Sequence, residues 1–149
     1  MKIDVVNRNK EKCKEWLKRN NYVRYQVHYD DSFKEVGFIY YPKDMENNET
    51  LKKNIPILLE NIDRYIDKIL RRNYISTVIS NLKFDIEKKP YKEQLEVCDK
   101  ELIDIQSKIN ENLSPYYWDI EILDSADGLY NKSWRARLRK CKYKDRLNV

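Results

Sequence analysis

Residues 116–140 read "YYWDIEILDSADGLYNKSWRARLRK". In the first part, Trp118, Ile120 and Ile122 alternate with Asp119 and Glu121; in the last, Trp134, Ala136 and Leu138 alternate with Arg135, Arg137 and Arg139. A period of two marks strands with one apolar face, and Asp127–Gly128 between them is turn chemistry. Antiparallel pairing of the two strands turns both apolar sides to the core. It also sets the acidic side of one beside the basic side of the other, where each cross-strand pair of opposite charge contributes about 0.2–1 kcal/mol.

A second hairpin is written near the start of the chain. Val23, Tyr25, Val27 and Tyr29 alternate with Arg24, Gln26 and His28, Asp30 to Ser32 supply a turn, and "EVGFIYYP" supplies the returning strand. Tyr40 and Tyr41 are adjacent, so alternation sends one of them away from the core, exposed or at an interface. Before this hairpin, Cys13, Trp16 and Leu17 recur at helical spacing over residues 9–20, with Asn7 or Asn9 as cap.

The middle of the chain is helical. Residues 42–50 read as a polar loop, after which Asn54 is the expected cap, with Pro56 in the first turn. Leu58, Leu59, Ile62, Tyr65, Ile66, Ile69 and Leu70 form one apolar stripe. Beyond Arg72 the stripe fails: Ile75, Val78, Ile79 and Leu82 fall on roughly the opposite side of the helical wheel. The helix kinks near Asn73, is buried on two faces, or gives way to an extended "YISTVIS"; a second helical piece is the favoured expectation. "NLKFDIEKKPY" alternates briefly and reads as a short strand, and Pro90 then opens a helix running to residue 113, stopped by Ser114 and Pro115. Tyr91, Leu95, Cys98, Leu102, Ile105 and Ile109 step by four and three along it. That heptad seam predicts burial of Leu95, Cys98, Leu102 and Ile105. Sustained coiled coils usually need at least three to four heptads, so the seam is expected to pack within its own domain, giving a monomer.

The expected fold is therefore a single α+β domain over residues 1–149, with antiparallel hairpins at the N- and C-terminal ends packed on a central helical region that includes the long 90–113 helix. A chain of this length buries roughly 68–70% of its unfolded surface. Charged residues make up 37% of it, in both signs and interleaved with apolar ones, the pattern of a solvated surface. No apolar run is long enough to span a bilayer. The N-terminus has no apolar stretch of the signal-peptide kind, so no membrane association and a cytoplasmic location are expected. Lys, Asn, Ile and Tyr dominate; their codons are AT-rich, pointing to a low-GC bacterium or one of its phages or mobile elements.

Several function classes are excluded by residue supply. The two glycines, Gly37 and Gly128, cannot build a phosphate-cradling loop. Cys13, Cys98 and Cys141 are widely spaced and His28 is the single histidine, so no zinc motif exists and no metal or cofactor is expected. Glu87-x-Lys89, with Asp85 nearby, matches half of an acid-x-lysine nuclease arrangement but reads as a solvated strand end.

The charge is lopsided. Residues 132–149 hold eight basic residues and one acid, a net of +7 against +5 for the whole chain, so the remainder is net −2. Lys132, Arg135, Arg137, Arg139, Lys140, Lys142, Tyr143, Lys144 and Arg146 are the expected partner-binding residues. Such a cluster attracts phosphates, or an acidic surface of a nucleic-acid-handling protein, by steering and counterion release. The expected function is a non-enzymatic binder, of the kind a phage or mobile element uses as a regulator or inhibitor, including the anti-CRISPR type. Two alternatives are a metal-independent ribonuclease using these arginines with Tyr143 or His28, and a docking or dimerisation module acting through the 91–109 helix.

Overall fold

The computed structural model describes residues 3–6, 10–29, 31–33, 35–45, 47–113, 118–123 and 134–140. In chain order these form β1 (Ile3–Val6), α1 (Lys10–Arg19), β2 (Tyr22–Tyr29), β3 (Glu35–Pro42), a 3₁₀ turn (Lys43–Met45), α2 (Glu49–Asn81), α3 (Asp85–Leu113), β4 (Trp118–Leu123) and β5 (Trp134–Lys140). The fold is α+β, with strands from both ends of the chain flanking a long helical middle.

The two expected hairpins are present and antiparallel, β2 with β3 and β4 with β5. They are halves of one mixed sheet of order β1-β4-β5-β3-β2. Its central join is parallel, with Gly37 opposite Trp134 and Tyr40 opposite Arg137, and β1 adds in parallel beside β4. The register of the second hairpin sets Asp119 opposite Arg139 and Glu121 opposite Arg137. Acidic and basic positions thus lie side by side, as alternation predicts.

Alternation also separates the faces. Ile39, Tyr41, Ala136 and Leu138 are buried on one side, against Leu51, Ile55, Leu58, Leu59, Ile62 and Ile66 of α2 and Ile105 and Ile109 of α3. On the other side Leu17 of α1 is buried, with Tyr22 and Tyr40 packed on it. The molecule is three-layered: α1, the sheet, then the α2–α3 pair. Tyr40 and Tyr41 consequently have different burial partners and neither is exposed, because the second face of the sheet is covered rather than solvated. Asn21 makes the sharp exit from α1. Its φ of 59° lies in the left-handed region that asparagine tolerates, and Lys43 N–H donates to its carbonyl at 2.9 Å.

Three boundaries differ from expectation. α2 starts at Glu49, because the Asn48 side chain accepts the Leu51 N–H at 2.9 Å and caps the helix. Asn54 instead lies inside the helix and donates across to the Asn112 carbonyl of α3 at 3.0 Å. Pro56 is likewise interior but exposed, and burial of Ile55, Leu58 and Leu59 on the sheet holds the helix through it. The short strand expected in "NLKFDIEKKPY" does not form. Asp85 and Glu87 open α3 as acidic first-turn residues, where negative charge favours a helix N-terminus, and Pro90 falls inside the helix rather than at its start.

α2 runs unbroken through the segment of ambiguous periodicity. At 100° per residue, Leu51, Ile55, Leu58, Ile62 and Ile66 share the side that faces the sheet, whereas Ile75 lies well round the wheel. Ile75 shares its side with Asn61, Lys68 and Arg72, and these three bond to Asn112, Glu101 and Asp99 of α3. The stripe changes side because the partner changes, from sheet to helix. On α3, Cys98, Ile105 and Ile109 of the heptad seam are buried and face α2. Leu95 and Leu102, expected to be buried, are only half-buried, since two helices alone do not enclose a full seam.

Candidate nucleic-acid interface

Arg137 occupies the middle strand of the sheet, on the face away from α2 and α3. The sequence places it on a solvated outer face; in the structure it is 7% exposed. Its guanidinium carbon lies 4.5 Å from the Trp16 ring centroid and 5.3 Å from that of Tyr22. The two rings stack on each other at 6.0 Å, inclined by 25°. A delocalised, weakly hydrated guanidinium suits such a roof better than a strongly hydrated ammonium. Trp16 thus holds α1 over Arg137 of β5 while Leu17 packs on Tyr22 and Tyr40, and Arg137 offers little exposed surface to a phosphate.

The other expected residues fall into two groups. Arg135, Arg139 and Lys140 are strand positions of β5, with Arg139 and Lys140 at its C-terminal end, opposite Asp119 and Trp118. Lys132, Lys142, Tyr143, Lys144 and Arg146 lie outside the described residues.

α1 adds charge that the linear reading missed. It carries five basic residues, Lys10, Lys12, Lys14, Lys18 and Arg19, against Glu11 and Glu15. Lys18 and Arg19 are exposed in its last turn. The docking of Trp16 on Arg137 sets this net-basic helix directly over the basic strand. The signal was present in composition, but only the three-layer packing joins residue 18 to residue 137.

Among the described residues no group of three His, Cys, Asp or Glu side chains is placed to hold a metal ion. Glu87 and Lys89 are exposed on a helix, where residues two apart diverge by about 200°, so the acid-x-lysine arrangement does not exist. A groove of about 600 Å³ beside the end of α1 is lined by Asn20, Asn21, Tyr22, Pro42, Lys43 and Asp44. A cleft of about 460 Å³ between α2 and α3 mixes Arg64, Lys68, Arg71 and Lys108 with Asp67, Glu101 and Asp104. Neither pairs a nucleophile with a histidine base. Among the described residues no helix is long and apolar enough to cross a membrane. No family model, curated protein or solved structure matches the chain.

Proposed function

We propose that the protein is a non-enzymatic nucleic-acid-binding domain whose contact surface is its basic C-terminal segment. The observation that carries this reading is charge segregation: residues 132–149 are net +7 in a chain of net +5. The basic helix α1, lying over the same strand, supports it by extending positive charge across that face. Arg137 is left out of the contact set because it is buried. The remaining contact residues are Arg135, Arg139 and Lys140 of β5 with Lys132, Lys142, Tyr143, Lys144 and Arg146, and the exposed Lys18 and Arg19 of α1 join them. A small cytoplasmic regulator or inhibitor, carried by a phage or mobile element and acting where nucleic acid is handled, is the setting that suits such a domain.

Charge reversal tests it. Arg139→Glu, Lys140→Glu and Lys142→Glu together should weaken binding to a labelled oligonucleotide by at least tenfold in an anisotropy titration, while the variant still unfolds in one cooperative transition, at a somewhat lower temperature because Glu at position 139 would face Asp119. Equal affinity of variant and wild type contradicts the reading. Capture of an acidic protein that survives nuclease treatment, with no oligonucleotide binding, replaces nucleic acid with a protein partner.

A further inference from the structure

The corner where α1 turns into β2 carries aromatic surface that the core does not use. Leu17 is the residue of α1 buried there, with Tyr22 and Tyr40 packed on it; Trp16 is outside that cluster and 36% exposed. Its ring is nevertheless held in place, stacked on Tyr22 and set against the Arg137 guanidinium. An indole that is fixed and partly open spares a ligand the entropy of ordering it.

Tyr22 also lines the groove of about 600 Å³, a size within the range of ligand clefts, about 300–1,000 Å³. Tyr22 and Pro42 stand opposite each other at the end of the β2–β3 hairpin, and the Lys43 N–H bonded to the Asn21 carbonyl closes the corner. Asn20 and Asn21 are exposed there. The Asn20 amide nitrogen donates to the Trp16 carbonyl at 2.8 Å, which leaves its amide oxygen as an acceptor. We infer that this corner is a nucleobase site for a single strand, in which one unstacked base lies against Trp16 and Tyr22 and the Asn20 and Asn21 amides meet its edge. The inference rests on the nucleic-acid reading of the basic surface and names the form of nucleic acid that surface takes.

Ring surface and amides select the occupant ahead of charge. Every base offers a π-face to an aromatic ring, and its edge carries donors and acceptors that match an amide, which is both. In a duplex the bases are stacked and their pairing edges occupied, so an open single strand is the form that can reach the site. Lys43 and Asp44 cancel at the groove, but α1, with five basic residues and two acids, is net +3. It ends in exposed Lys18 and Arg19, next to Asn20. Phosphates flanking the base thus meet the helix that crosses β5. An apolar peptide would satisfy neither the amides nor these cations.

The test uses the full chain and a single-stranded oligonucleotide carrying 5-iodouracil, which on irradiation crosslinks to an aromatic ring stacked on it. Peptide mapping should place the crosslink at Trp16 or Tyr22. A duplex of the same sequence, and iodinated uridine monophosphate at the same concentration, should not crosslink there. Tyr22→Leu should lower oligonucleotide affinity between about fivefold and a hundredfold, the worth of one base–aromatic stack, whereas Tyr22→Phe should stay near wild type. Should Tyr22→Leu unseat α1, seen as a lowered melting temperature, Asn20→Ala carries the same test: weaker binding with the salt slope unchanged, since no phosphate contact is lost. An oligonucleotide that binds but crosslinks only elsewhere overturns the inference and leaves the C-terminal reading standing. Equal crosslinking of the duplex or of the mononucleotide at this corner overturns the assignment to a single strand. Absence of binding by all three overturns the C-terminal reading, and the inference with it.

Discussion

A buried arginine in a central strand has to be covered by something that accepts its charge, and Trp16 and Tyr22 provide that cover. Because Trp16 is itself at the edge of exposure, its ring is placed for the guanidinium more than for the core. Trp16→Ala should destabilise the protein by about 1–2 kcal/mol, in the range of a partly desolvated cation–π contact, read as a lower urea midpoint with an unchanged slope. Little or no change would mean that α1 is held by Leu17 alone. Tyr65 offers a pH test at the same scale. Burial pushes its hydroxyl above the usual tyrosine value of 10.0, because the phenolate is disfavoured beside the core. Above pH 10 the unfolded chain therefore releases this proton while the folded one keeps it, and stability falls as pH rises from 10 through the folded pKa. Tyr65→Phe should lessen the loss of stability between pH 9 and pH 11; an equal loss in both proteins would count against burial of the hydroxyl.

Helix α2 explains what periodicity can and cannot deliver. Each of its two stripes was legible from the spacing of isoleucine and leucine, but the reason for the change of side was not. A pattern in one segment records that a face is buried without recording what buries it. The same gap misplaced the strand in "NLKFDIEKKPY": Leu82, Phe84 and Ile86 alternate, yet they turn the corner of a helical hairpin, and among the described residues no strand pairs with them. Asn54 resembled a cap because the polar residue that does cap, Asn48, lay in a stretch without apolar period. α3 was legible almost throughout, apart from its first turn. Its seam predicts a graded outcome. Ile109, fully buried, should cost about 2–5 kcal/mol when replaced by alanine, as for aliphatic residues removed from a packed core. Half-buried Leu102 should cost clearly less. Both losses should be independent of protein concentration in equilibrium unfolding; a concentration-dependent midpoint would make the seam an interface between copies.

At the scale of the molecule, local signals gave both hairpins but not their union. The parallel join of β3 to β5 links residues nearly a hundred apart in sequence, and no local pattern encodes it. That join brings Tyr40 beside Arg137 and lets α1 close over both, which converts one arginine of the basic segment into core and adds the charges of α1 to those that remain. The candidate surface was thus visible as a charge cluster, whereas its membership depended on a third layer that no residue of the cluster announces. The central claim is that this surface binds nucleic acid through phosphate contacts, and the salt dependence of affinity tests it most directly. Between 50 mM and 200 mM salt, six to ten phosphate contacts imply a loss of about 10³–10⁵ in affinity; with fewer contacts the loss is smaller but still steep. An oligonucleotide titration across that range should give a steep linear fall of log affinity with log salt, flattened in the Arg139, Lys140 and Lys142 charge-reversal variant. Affinity that stays level across the range, or a slope identical in the variant, would contradict the account.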